Sequence, residues 1–254
     1  MPHQAILLPL GDPFIELTTV DSTNNYAMAQ LQTGVISHGT AYFAHQQTAG
    51  KGQRGKSWIT DKGENILLSM VLQPSYLKPG DSFILSALIA NACYDFFKTY
   101  AGHETRIKWP NDIYWRDRKT GGVLIENIIR NEKWNYSIVG IGININQTKF
   151  VESVANAASL RQITGESYDP VCLAKELCGF LTQHYKNLAV EQDKIIESYN
   201  RNLYKLNLPV KLRKGNIVFE TTIRGVTPQG KLMTYDVMPR EFDFGEIEWI
   251  LGVQ

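Results

Sequence analysis

The sequence predicts an α+β protein: a mixed β-sheet flanked by helices over residues 1–206, then a small β-rich domain over 207–254. Three observations carry this. Strand-like and helix-like segments are intermixed through the first part without the regular alternation of a doubly wound sheet. Two apolar strands around a polar turn at 131–135 read as an antiparallel hairpin. Beyond Leu206 the texture changes to short strands separated by turn residues, on the scale of a small barrel.

In chain order, Asp21-Ser22-Thr23 offers an N-cap to a helical stretch carrying Tyr26, Ala27 and Leu31, which stops at Gly34. Residues 40–47 and 65–73 read as strands, the second more buried. Residues 81–101 form a helix, because Leu85, Leu88, Ile89, Ala92, Cys93, Phe96 and Phe97 recur at helical spacing before Gly102. Strands follow at 106–109, 122–129 and 136–145. Asp169-Pro170 starts a helix to about 188, with proline at the tolerated first position, and a second helix spans 193–202. The strands expected in the C-terminal segment are 208–213, 217–226, 231–235 and 246–251, with turns at Lys214-Gly-Asn216 and Pro228-Gln-Gly230.

Composition excludes several classes. With 43% hydrophobic and 20% charged residues and a net charge of +1, the chain has no broad basic field for nucleic acid, so phosphate affinity must be local. No apolar run is long enough for a membrane span, and the start, Met-Pro-His-Gln-Ala, lacks the layout of a signal peptide. Cys93, Cys172 and Cys178 are odd in number and lie in helical contexts, which reads as buried free thiols in a reducing, cytoplasmic compartment. No His or Cys spacing fits zinc.

The chemistry concentrates in a few motifs. Gly50-Lys-Gly-Gln-Arg-Gly-Lys-Ser57 satisfies both the dinucleotide fingerprint and the Walker A pattern, but each requires a helix opening directly from the loop. Here Trp58-Ile-Thr-Asp-Lys-Gly63 and a β-rich run follow, so both matches fail. What remains is a bare backbone that a ligand can approach closely, with Lys51, Arg54 and Lys56 supplying positive charge and Trp58 an aromatic face. Lys108-Trp-Pro-Asn-Asp112 ends a strand at Pro110, which would project Asn111 and Asp112 from a fixed turn. Lys119 precedes the Gly121-Gly122 strand entrance, and Gly140 and Gly142 leave one strand face bare, either as a ligand slot or as a bulge.

Asp-Ser-Thr-Asn at 21–24, the loop at 47–58, Lys-Trp-Pro-Asn-Asp at 108–112, Lys-Thr-Gly-Gly at 119–122 and Gly-Ile-Gly-Ile-Asn at 140–144 resemble, in this order, the motifs of biotin–protein ligases. The resemblance implies a class II synthetase-like catalytic sheet and an SH3-like C-terminal domain. It implies ATP and biotin as substrates with magnesium, and a biotin carboxyl carrier domain as partner. Ser22, Thr23, Gln47 and Gly50 match the wall around biotin's ureido ring, and Gly122, Leu124 and Gly140 match its slot. Lys119, Lys51 and Arg54 match the catalytic cations. Trp58, Asn111 and Asn144 match the adenine side, and Asp112 a residue near ATP and its metal. Gln53 departs from the resemblance, since many relatives carry arginine there, and Lys51 stands where arginine is usual. Some relatives carry an N-terminal DNA-binding helix pair; with 20 residues before Asp21, no nucleic-acid role is expected. Monomer and homodimer both stay open. Lipoate or octanoate ligation is the nearest alternative, but no Arg-Arg-x-x-Gly-Gly-Gly segment is present.

Overall fold

The computed structural model describes residues 9–34, 36–151 and 156–250. The first five residues and Leu251, on which two of the sequence expectations fall, lie outside the described residues. A seven-stranded sheet dominates, in the order β1 (Phe14–Leu17), β2 (Ala41–Ala44), β3 (Asn65–Leu72), β7 (Lys133–Asn144), β6 (Arg118–Arg130), β5 (Asp112–Trp115), β4 (Thr105–Lys108). Only β1 and β2 pair in parallel; every other neighbour is antiparallel, so the sheet is mixed as expected.

The two faces of this sheet are covered differently. Along β3 and β7, Ile66, Leu68, Met70, Leu72, Val139, Ile141 and Ile143 point to one side, into the main core. There they meet α2 (Ser82–Ala101), which is buried over most of its circumference because α4 (Pro170–Lys186) and α5 (Gln192–Arg201) pack on it in turn. The alternate residues face α1 (Thr23–Gln32), a short helix that buries Thr23, Asn24 and Ala27. Ser22 occupies its N-cap position but makes no side-chain cap, whereas Asp169 caps α4 through Val171 N and Cys172 N.

The β6–β7 hairpin is longer than the sequence predicts. Its turn shrinks to Asn131 and Glu132, both at positive φ, as a two-residue turn of matching twist requires. The short strands β1, β5 and β11 (Pro239–Phe242) and the five-residue helix α3 (Leu160–Thr164) were not expected, being too brief to show periodicity. Asp112, read as a turn residue, opens β5. Of the three free cysteines, Cys93 and Cys178 are buried; Cys172 is exposed, because the third position of α4 faces outward.

A second, antiparallel sheet in the order β11, β10 (Leu232–Tyr235), β9 (Ile217–Val226), β8 (Pro209–Lys214), β12 (Glu248–Ile250) makes the C-terminal part. Its inner residues Leu212, Ile223, Val226, Leu232 and Phe242 join the main core without a break. Asn200 reinforces the junction with hydrogen bonds to both the carbonyl and the N–H of Val226.

Candidate active site

The strand register on the α1 side builds the floor of the site. Gly122 lies directly opposite Gly142, and Leu124 opposite Gly140; Asp112 on β5 completes the row beside Gly122. Side chains alternate along a strand, so Gly122, Leu124 and Glu126 share this face of β6. Lys119 should then point to the other side. A β-bulge prevents that: Tyr114 pairs with Lys119 and Ile113 with Gly121, leaving Thr120 without a partner in the register. The extra residue turns Lys119 onto the glycine face, where its Cε and Nζ lie 3.4 Å from where a Cβ on Gly122 would be. Thr120 is fully buried, and its hydroxyl donates to the Ile113 carbonyl.

Lys119 is fixed from both ends. Its N–H donates to the Asn156 carbonyl and its own carbonyl accepts from Ala158 N, each at 2.8 Å. The segment is held by the Asn144 amide, which donates to the Ala158 carbonyl, and by the Ser159–Gln162 capping box that starts α3. At the far end, Lys119 Nζ lies 2.7 Å from Asp112 Oδ1 and 5.6 Å from the centroid of the Trp58 ring.

The turn before Asp112 is anchored rather than free. Trp109 Nε1 donates to the Gly230 carbonyl, the Tyr199 hydroxyl to the Pro110 carbonyl, and Asn111 Nδ2 to the Val123 carbonyl, while Val123 N–H donates back to Asn111 O. The sequence reading placed the Asn111 amide toward a ligand; it is instead used in tying the turn to β6. Lys108, at the start of the motif, lies 5.2 Å from the Tyr114 ring and 5.1 Å from that of Trp249. Burial pushes its amine down to about 8, opposed by Asp112 and aided by Lys119 and Lys56.

The Gly50–Trp58 loop closes as a small hairpin, with Trp58 N–H on the Gly50 carbonyl and Gly52 N–H on that of Lys56. No helix opens from it, so the structure agrees with rejecting the two nucleotide fingerprints. Glycine is required at position 50: a Cβ there would collide with the Trp58 carbonyl and lie 2.9 Å from Gln47 Nε2. Lys51 points inward, 3.8 Å from Glu126. Arg54 points away, its guanidinium 3.4 Å from the Gly245 carbonyl of the C-terminal sheet, and Gln53 lies in the same turn. A cleft of about 400 Å³ lies under this hairpin, lined by Ala49, Gly50, Lys51, Gly52, Leu124 and Glu126 among others.

The wall opposite is a polar network. Gln47 Oε1 accepts from both the N–H and the hydroxyl of Thr23, at 2.7 and 3.0 Å. Ser69 Oγ lies 2.7 Å from Thr23 Oγ1 and 2.6 Å from Asn24 Oδ1, and Asn24 Nδ2 donates to Glu126 Oε2 at 2.7 Å. Ser22, only 2% exposed, adjoins this wall at the start of α1. Two of the bare strand positions prove to be filled. A Cβ on Gly140 would run into Asn24 Oδ1, and one on Gly142 would lie 2.6 Å from the Trp58 indole. That indole's Nε1 is buried without a hydrogen-bond partner.

The structure therefore gathers Ser22, Thr23, Gln47, Gly50, Lys51, Trp58, Asp112, Lys119, Gly122, Leu124, Gly140 and Asn144 around one sheet face. Arg54, Gln53 and the Asn111 amide stand outside the group. Sequence reasoning missed Asn24, Ser69 and Glu126, which look ordinary until register and the α1 contact bring them together. The arrangement offers a hydrogen-bonding wall with Lys51 beside it at one end, Lys119 over Gly122 at the other, and the Trp58 indole lying over Gly142 between them. Among the described residues no helix is long and apolar enough to cross a membrane.

The comparisons agree with this architecture. The model of the biotin/lipoate A/B protein ligase family matches residues 16–144. The chain is 31% identical over 228 residues to the bifunctional ligase/repressor BirA of Escherichia coli (strain K12), covering 88% of this chain and 69% of that protein. It is 28% identical over 231 residues to the biotin–[acetyl-CoA-carboxylase] ligase of Paracoccus denitrificans, covering 85% and 92%. The solved biotin protein ligase from Aquifex aeolicus in complex with biotin and ATP superimposes with a TM-score of 0.78 at 25% identity, covering 94% of this chain and 98% of that one. The chain belongs to the biotin/lipoate A/B protein ligase family and, within it, with the biotin–protein ligases.

Proposed function

We propose that this chain activates biotin with ATP to biotinyl-5′-AMP and then transfers biotin to a lysine of a biotin carboxyl carrier domain. The observation that carries the assignment of the site is the bulge-directed Lys119. Its ammonium stands over Gly122, beside Asp112 and the face of Trp58. In the first step a biotin carboxylate oxygen attacks the α-phosphorus and the bond to pyrophosphate breaks. Two anions must approach, so fixed positive charge at the meeting point lowers the barrier. In this reading Lys119, with Lys51 from the hairpin, supplies it.

The ureido ring of biotin fits the polar wall of Ser22, Thr23 and Gln47, with Gly50 beside it, and the bicyclic body fits over Gly122 and Leu124. The adenine fits beside Trp58 and Asn144, and the orphaned indole N–H is a donor available to the nucleotide. Arg54 and Gln53 reach the phosphates only if the hairpin rearranges from its contact with Gly245. Closure of this kind would shield the mixed anhydride from water. In the second step the carrier amine attacks the acyl carbon, the bond to AMP breaks, and the amine sheds a proton.

Among the described residues no group of three or more His, Cys, Asp or Glu could cage a metal. Magnesium would therefore arrive with the triphosphate, which fills most of its shell together with water, and Asp112 would offer at most one carboxylate. When bound, the ion neutralises phosphate charge. A division into a catalytic part ending near 206 and a C-terminal part from 207 accords with the two sheets.

The test is a mass measurement. The chain is incubated with ATP, Mg²⁺, a carrier domain and biotin, lipoate or octanoate in turn. The expected product is the biotin increment on the carrier; a lipoyl or octanoyl increment in its place overturns the assignment in favour of the nearest alternative.

A further inference from the structure

Glu126 is a carboxylate in a place where anions must bind, and the proposed chemistry gives it no part. It stands on the floor face of β6, two residues beyond Leu124, in the cleft beneath the glycine-rich hairpin. Its two oxygens have separate partners. Oε2 accepts from Asn24 Nδ2 at 2.7 Å, a charge-assisted bond to a residue only 3% exposed. Oε1 lies 3.8 Å from Lys51 Nζ, a longer contact between side chains that are 34% and 43% exposed. One end is therefore anchored and the other loose.

Asn24 cannot easily move. Its oxygen is held by Ser69, and its carboxamide fills the space that glycine leaves at position 140. Through Ser69 and Thr23 the same network ends on Gln47. Two hydroxyl protons, those of Thr23 and Ser69, serve three contacts: to Gln47 Oε1, between the two hydroxyls, and to Asn24 Oδ1. One contact lacks a proton at any instant, so a ligand touching Thr23 shifts the arrangement that reaches Asn24.

We infer that Glu126 is a positioning residue that holds Lys51 over the cleft and yields it to the incoming phosphate. This rests on the proposed adenylation. An exposed ion pair at this distance is weak, whereas a lysine–phosphate contact inside a closed site is stronger. Lys51 therefore transfers when phosphate arrives. Glu126, still tethered to Asn24, then faces the bound anion and opposes it. Both the competition for Lys51 and this repulsion act in the same direction. They weaken nucleotide binding slightly and hasten departure of adenylate and pyrophosphate, while keeping Lys51 pointed inward beforehand.

The test is Glu126→Gln, which retains an oxygen for Asn24 and removes only the charge. KM for ATP and kcat of adenylate formation are measured, with the dissociation rate of biotinyl-5′-AMP, in wild type, Glu126→Gln, Lys51→Ala and the double variant. The inference expects KM for ATP to fall and adenylate release to slow by about two- to five-fold in Glu126→Gln, the range of an exposed ion pair. These effects should shrink on the Lys51→Ala background, where only the repulsion remains. A rise in KM, no change, or the same change without Lys51 overturns the inference and leaves adenylation intact. A wild-type chain that forms no adenylate overturns both.

Discussion

Two glycines on one strand face make opposite predictions for the same substitution. Gly140 and Gly142 are both in β7, and neither has a backbone conformation closed to alanine, so alanine by itself should gain roughly 0.5–1 kcal/mol from the less flexible unfolded chain. In Gly140→Ala the new methyl falls on the Asn24 carboxamide, which is buried and tied to Ser69 and Glu126. Displacing Asn24 forfeits a bond to a charged group, worth about 1.5–3 kcal/mol, and a neutral one worth about 1 kcal/mol. The net loss is about 1.5–3.5 kcal/mol. In Gly142→Ala the methyl meets the Trp58 indole, which is only partly buried on an exposed hairpin and can swing away. Stability should change by less than about 1 kcal/mol, while adenylate formation falls because Trp58 has left the site. Urea unfolding at constant m-value, with single-turnover adenylation, reads both quantities. Equal destabilisation of the two variants, or a neutral Gly140→Ala, would refute the packing argument.

Other expectations concern the scaffold around the site. Lys108 takes its proton at about 8 in the folded chain against an ordinary 10.5. Both states are protonated below about 8, so its charge burdens folding fully there; between 8 and 10.5 the unfolded chain holds more protons and stability rises with pH. Lys108→Met should therefore be more stable than wild type at pH 7, by at most about 3 kcal/mol, with the difference vanishing by about pH 10.5. Denaturant titrations across that range check it, and a pH-independent difference contradicts it. Trp109→Phe removes the bond to the Gly230 carbonyl and should destabilise by about 1–2 kcal/mol. Hydrogen exchange should quicken first around β9 and β10; unchanged protection there would deny Trp109 its role as a tie between the two sheets.

How much of this was legible in the sequence depended on element length and on register. The helices α2 and α4 showed themselves because twenty and seventeen residues are enough for a 3.6-residue period to emerge. The hairpin and the C-terminal strands were signalled by turn residues. β5 was not, since four residues that open on the Asp of an Asn-Asp pair look like the continuation of a turn. Within the site, cations and glycines stood out by type, but their directions did not. Nothing in Lys-Thr-Gly-Gly announces that Thr120 is a bulge, and without the bulge Lys119 would face the other side of the sheet. Gly140 and Gly142 were read as leaving a ligand slot or marking a bulge, and what fills the space beside them comes from α1 and from the loop, more than a hundred and more than eighty residues away. Glu126 could have been found by counting: it shares the face of Gly122 and Leu124 at the two-residue period of a strand.

In the proposed reaction Lys119, turned by a β-bulge onto Gly122, brings a carboxylate and a nucleotide α-phosphate together. Single-turnover formation of biotinyl-5′-AMP in wild type and in Lys119→Ala tests it most directly, with far-UV circular dichroism to confirm that both are folded. Adenylate is expected in the wild type, with a rate about 10²–10³-fold lower in the variant, the cost of removing one positioned charge-stabilising donor. Adenylate formation by folded Lys119→Ala at the wild-type rate would contradict it.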